Sequence, residues 1–212
     1  AINDEEVGSA LAGESTSAQW GGLILNGFAP INACIDATAT GGTAGCEKSG
    51  EGNSGLFGGD NAADDSGTIN YLSVEYAGAR LTNEDELNGI AFQGVGNQTD
   101  VDYVQVHNNL DDGIEWFGGT VSAKHVVITG AGDDSLDWTD GWQGNLQYAV
   151  VYSDNPTSGD PRGIASRALR GRPKSTTPVR RAARHARHRA SAAVRGRSRR
   201  WASRESGRGR GK

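Results

Sequence analysis

An all-β solenoid, a parallel β-helix, is the fold this sequence predicts, on three observations. Short β-rich segments of one type recur about every two dozen residues, which is a repeat architecture's signature. Like residues then fall in the same column of successive copies. The 32 glycines of the 212-residue chain supply tight corners between them.

The first strand family is Ile69-Asn70-Tyr71-Leu72-Ser73-Val74, Val101-Asp102-Tyr103-Val104-Gln105-Val106, Ala123-Lys124-His125-Val126-Val127-Ile128 and Leu146-Gln147-Tyr148-Ala149-Val150-Val151. Leu72, Val104, Val126 and Ala149 make one inward column, and Val74, Val106, Ile128 and Val151 another. Ser73, Gln105, Val127 and Val150 lie between them and point outward, as strand period two requires. A second family is Asn88-Gly89-Ile90-Ala91-Phe92, Asp112-Gly113-Ile114-Glu115-Trp116 and Asp134-Ser135-Leu136-Asp137-Trp138. Here Ile90/Ile114/Leu136 and Phe92/Trp116/Trp138 are expected inside, with Ala91/Glu115/Asp137 outside. Gly22 to Gly27 reads as an earlier copy, and Gly163-Ile164 as the start of a later one. Residues 28–68 are too long for a turn and are expected to leave the coil as an excursion from a corner. Residues 79–86 are expected to form a smaller loop. A β-sandwich also has many short strands, but nothing in it demands column-by-column repetition.

The net charge of −5 is a cancellation. Residues 1–164 carry four basic groups, Lys48, Arg80, Lys124 and Arg162, against 25 acids. Residues 165–212 carry 17 basic groups and one acid, Glu205. The second segment has too little apolar surface to offset chain entropy, so a disordered Arg-rich tail is expected there. Two origins compete: a selected tail that binds nucleic acid or another anion, and a one-base shift in a GC-rich gene. The break inside a rung favours the shift. Sequencing the DNA through the codon for Ile164 separates them. No run of about 18 apolar residues is present, so no membrane-spanning helix is expected. With no Met and no signal-like start, the chain reads as a mature or truncated form.

Trp20-Gly21-Gly22-Leu23-Ile24-Leu25-Asn26-Gly27, Ser66-Gly67 to Tyr76-Ala77-Gly78, Glu115-Trp116-Phe117-Gly118-Gly119 and Tyr152-Ser153-Asp154-Asn155-Pro156 resemble a family of secreted, lipoprotein-like bacterial right-handed β-helix proteins. The resemblance covers about residues 3–164. It implies further rungs on both sides, an extracellular or cell-surface location, and polysaccharide or cell-surface components as partners. Cys34 and Cys46 are the only cysteines. They are open to a disulfide or two free thiols, and the resemblance favours the disulfide.

Chemistry is sought at the acidic corners. Asn109-Leu110-Asp111-Asp112-Gly113 and Gly132-Asp133-Asp134 stand one rung apart. They are similar to the corners of polygalacturonase-type (family 28) glycoside hydrolases, which implies Asp112, Asp133 and Asp134 as acid/base carboxylates. The departures are Leu110 where that family has Thr, and no Gly-His-Gly or Arg-Ile-Lys motif downstream. A calcium reading uses Asp111, Asp112, Glu115, Asp134 and Asp137, because stacked like charges repel unless a hard cation joins them. Asp133 and Asp140 are also expected nearby. Plain turn chemistry, carboxylates bonded to backbone, is the simplest alternative. No other cofactor is expected. His125 shares a column with Tyr71, Tyr103 and Tyr148, which points to stacking, whereas Trp142 is expected to be exposed at a corner. The functional expectation is a structural, adhesive or ligand-binding surface protein stabilised by calcium. A polysaccharide-degrading enzyme and an anion-binding tail are the alternatives.

Overall fold

The computed structural model describes residues 17–82, 86–153 and 161–167. Two four-stranded parallel sheets face each other across a shared core. One is built from β1 (Leu23–Asn26), β5 (Ile90–Gln93), β7 (Ile114–Phe117) and β9 (Leu136–Thr139), in that order. The other, in spatial order, is β4 (Thr68–Glu75), β6 (Asp100–His107), β8 (Ser122–Thr129) and β10 (Leu146–Tyr152). The short pair β2 (Lys48–Ser49) and β3 (Leu56–Phe57) is antiparallel and belongs to the excursion. Among the described residues all other strand pairs are parallel, which excludes the sandwich and makes the chain a parallel β-helix.

The register reproduces the columns. Leu23, Ile90, Ile114 and Leu136 stack in one, and Leu25, Phe92, Trp116 and Trp138 in the next. Val74, Val106 and Ile128 meet them from the opposite sheet in a single buried cluster. Close approach between the sheets depends on glycine. A Cβ on Gly113 would stand 2.5 Å from the Ile128 side chain and 2.6 Å from the Ser135 carbonyl oxygen.

Simple alternation missed one feature of the first strand family. Tyr71, Tyr103, His125 and Tyr148 all have left-handed backbone, with φ of 54°, 52°, 47° and 59°. The strand pairing steps over Tyr71, Tyr103 and His125 and resumes at Leu72↔Val104 and Val104↔Val126. Each strand therefore turns a corner in mid-length, which is why Val101, Val104 and Val106 all face inward. Such a backbone costs a bulky residue about 1–2 kcal/mol. The four rings recover part of it by stacking at 4.8, 4.4 and 4.9 Å with planes within 10–14°. The stacking expected of His125 is thus present, on an outer corner. Trp142 corrects its expectation. It is half-buried, stacks on Trp116 at 4.9 Å and donates from Nε1 to the Val121 carbonyl at 3.0 Å, closing the end of the core.

The excursion folds back over the outer face of the β1-β5-β7-β9 sheet. Ile31, Cys46 and Phe57 form a second apolar cluster with Ala91 and Phe117. The column Ala91/Glu115/Asp137, expected to face water, is therefore covered: Ala91 is 0 % and Asp137 1 % exposed. Cys34 and Cys46 are joined by a disulfide, so the free-thiol alternative does not hold. Replacing both cysteines by serine is expected to cost about 3 kcal/mol for a loop of this length. Chemical denaturation of the double variant measures it, and a change below about 0.5 kcal/mol would mean the loop is held without the bond.

Backbone ladder bonds run past the compositional change. Ser135 donates to the Arg162 carbonyl, Ala165 to Leu136 and Arg167 to Trp138. Residues 162–167 thus begin the later rung that Gly163-Ile164 announced. The Arg-rich segment beyond residue 167 lies outside the described residues, as does Asp154-Asn155-Pro156. Arg80 and Glu86 close the smaller loop by a bridge and an ion pair.

Candidate functional site

Two columns of polar residues meet at one side of the β1-β5-β7-β9 sheet. Asn88, Asp112 and Asp134 each stand two positions before an inward strand residue, so the coil stacks them. Their bonding runs between rungs. The Asp134 N–H donates to Asp112 Oδ1 at 2.9 Å, and the Arg162 N–H donates to Asp134 Oδ1 at 2.6 Å. Asn109 Nδ2 donates to the Asp112 carbonyl at 2.7 Å. Turn-type bonding of carboxylate to backbone is present, but it links successive coils instead of closing one turn.

The second column is the covered face. Glu115 lies directly beside Asp137 in the register. From the excursion, the 3₁₀ turn Glu51–Asn53 brings a further carboxylate. Asn88 Nδ2 donates to Glu51 Oε2 at 2.9 Å and to Glu115 Oε2 at 3.0 Å, bridging cover and sheet.

Two carboxylate triplets result, Asp111/Asp112/Asp133 and Asp112/Glu115/Asp137, with Asp112 in both. In each, one oxygen per residue lies within 4.8 Å of the others. Asp111, Asp112, Glu115 and Asp137 from the calcium reading are brought together, with Asp133, which both the calcium and the hydrolase readings place there. Asp134 enters neither triplet. Asp140 is held elsewhere, by Lys48 at 2.7 Å.

Burial dominates the electrostatics. It pushes the Asp111 carboxyl up to about 6, with the Glu86 charge adding to it. Asp112 rises to about 8, from burial and then from Asp111. Glu115 rises to about 10, from burial and then from Asp112 and Glu51. Asp137 and Asp134 are also raised by burial, opposed chiefly by the Trp138 and Arg162 N–H groups respectively. In each case the ionised form lacks the solvation it would have in water. The donor set is all oxygen, with no imidazole or thiolate, and so fits a hard cation of the calcium type better than zinc.

Two members of the site escaped the sequence reading. Asn88 is legible by its alignment with Asp112 and Asp134, but its amide carries none of the charge that marks the carboxylates beside it. Glu51 had no signal, since the excursion lacks a repeat partner. His125 Nδ1 sits 2.7 Å from Asp102 Oδ1 on the aromatic corner and has no part in the acidic site.

No curated protein and no solved structure matches the chain. Residues 8–181 match the family described as pectate-lyase like beta helix domain. With its columns, parallel register and two facing sheets, the chain belongs to that family of pectate-lyase-like β-helix domains.

Proposed function

We propose that this chain is a secreted, lipoprotein-like cell-surface β-helix with a structural or binding role, its acidic seam closed by calcium rather than used for catalysis. One observation carries the reading. Two of the three carboxylates that the hydrolase resemblance singles out are engaged in the scaffold: Asp112 accepts from the next rung, Asp134 from the rung after, and both are at least 94 % buried, while Asp133 is half-buried. A glycosidic oxygen needs a carboxyl it can reach. The disulfide supports an oxidising, extracytoplasmic location. Polysaccharide or other cell-surface components remain the proposed partners.

The test is incubation with polygalacturonate and other polysaccharides, followed by assays for reducing ends and unsaturated products. Neither is expected to appear. Release by the native chain that Asp112→Asn abolishes would overturn the reading in favour of a hydrolase.

A further inference from the structure

Backbone bonds near its two ends tie the excursion to the coil, among them Ala29 to the Gly94 carbonyl, Asn32 to Asp140 and Asn97 to Ala62, and Asn26 Nδ2 donates to the Ser54 carbonyl. Three further contacts of unlike kind hold its middle. Ile31, Cys46 and Phe57 give it an apolar seat, and Lys48 pairs with Asp140. Third, Glu51 on the excursion faces Glu115 on β7, both reaching the single amide Nδ2 of Asn88, with Asp112 and Asp137 close behind Glu115. Two mating surfaces that both carry carboxylates repel on closing where those groups are ionised, unless something positive joins them.

An independent feature marks the same seam as incompletely satisfied. Gln93 is fully buried beneath the excursion, and neither its Oε1 nor its Nε2 has a hydrogen-bond partner. Its Oε1 is aimed at the turn that carries Glu51, lying 2.2 Å from where a Cβ on Gly50 would stand. Asn88 Oδ1 and Asn32 Oδ1 are also buried without partners. Buried unpaired polar atoms each cost about 1–3 kcal/mol, and four of the seven such atoms among the described residues lie along this interface.

We propose that the disulfide-stapled excursion is a cover whose seating on the β1-β5-β7-β9 sheet is controlled by a divalent cation bound between Glu51 on the cover and Asn88, Glu115 and Asp137 on the sheet side. This rests on the calcium reading above and adds its consequence. With the cation bound, the seam closes over the carboxylate-lined face. Without it, the cover lifts as a unit, tethered at its ends and kept compact by Cys34–Cys46, and Glu115 and Asp137 become open to solvent and to cationic or hydroxyl-rich ligands.

Hydrogen exchange of the full, oxidised chain, with calcium and with chelator, tests it beside a calorimetric titration with calcium alone. Calcium is expected to bind and to slow exchange about tenfold in peptides covering residues 48–58 and 90–94, with little change in β6 and β8. Tryptic cleavage after Lys48 should slow in parallel. Glu51→Gln removes the facing charge, so its cover should stay seated in chelator and respond less to calcium. Binding without any change in those peptides would overturn the cover while leaving the calcium reading intact. So would equal slowing throughout both sheets, or an unaltered response in Glu51→Gln. An absence of calcium binding would overturn both.

Discussion

Chelating divalent cations at pH 8 is expected to lower the melting temperature by about 5–10 °C. A cation held at 100 times its Kd contributes about 2.7 kcal/mol, and a chain of this size shifts by about 2–4 °C per kcal/mol. The pH dependence gives the effect a sign. Without cation, Asp111, Asp112 and Glu115 have folded values near 6, 8 and 10, all above those of the unfolded chain. The folded state then holds protons that the unfolded state has released. Their stabilisation is complete below about pH 4 and falls as pH rises towards 10, by about 1.4 kcal/mol per pH unit for each proton retained. Calcium needs the ionised carboxylates, so its contribution grows over the same range. The chelated protein should therefore melt higher at pH 5 than at pH 8, and saturating calcium should remove that difference. A chelated melt that is flat from pH 5 to 9 would mean the acids are solvated, contrary to the seam described above.

Trp116→Ala is expected to cost about 3–5 kcal/mol, or roughly 6–20 °C in melting temperature. Trp116 is fully buried and stacks on Phe92 at 5.9 Å and on Trp142 at 4.9 Å, so its removal opens a cavity in the middle of the ladder. Tyr103→Ser is the informative contrast. Its ring also lies in a stack, but it is 45 % exposed on the outer corner and its backbone is left-handed. Loss of stacking there should cost under about 1 kcal/mol. Thermal melts of the two variants give both values. Similar losses would mean that the outer ladder, and not the inner one, carries the coil.

The coil was legible because every rung repeats it. Ile90, Ile114 and Leu136 announce one another, and the same holds for Phe92, Trp116 and Trp138. What failed is what the repeat does not encode. Tyrosine and histidine carry no sign of left-handed backbone, which glycine or asparagine would have signalled, so the corner inside each long strand went unseen. The outward column was assigned to water because alternation fixes which face a residue takes, not what covers that face. Ile31, Cys46 and Phe57 are scattered through a Gly/Thr-rich stretch, with no period to reveal that they form a lid. Trp142 was misplaced for a related reason. A corner position after Gly141 reads as exposed until the open end of the aromatic ladder is known. At the site, vertical stacking of Glu115 on Asp137 could be read from spacing. The sharing of Asn88 between Glu51 and Glu115 could not, because it joins segments 37 and 27 residues away in sequence.

Calorimetric titration of calcium into the native chain and into Asp112→Asn at pH 8 tests the central claim most directly. Asp112 belongs to both triplets, and an Asn in its place still offers an oxygen to the Asp134 N–H, as a column already holding Asn88 can accommodate. Saturable binding by the native chain, weakened at least about tenfold in Asp112→Asn with the fold retained, is the predicted result. No saturable binding by the native chain, or equal affinity in the two, would contradict a cation-closed acidic seam.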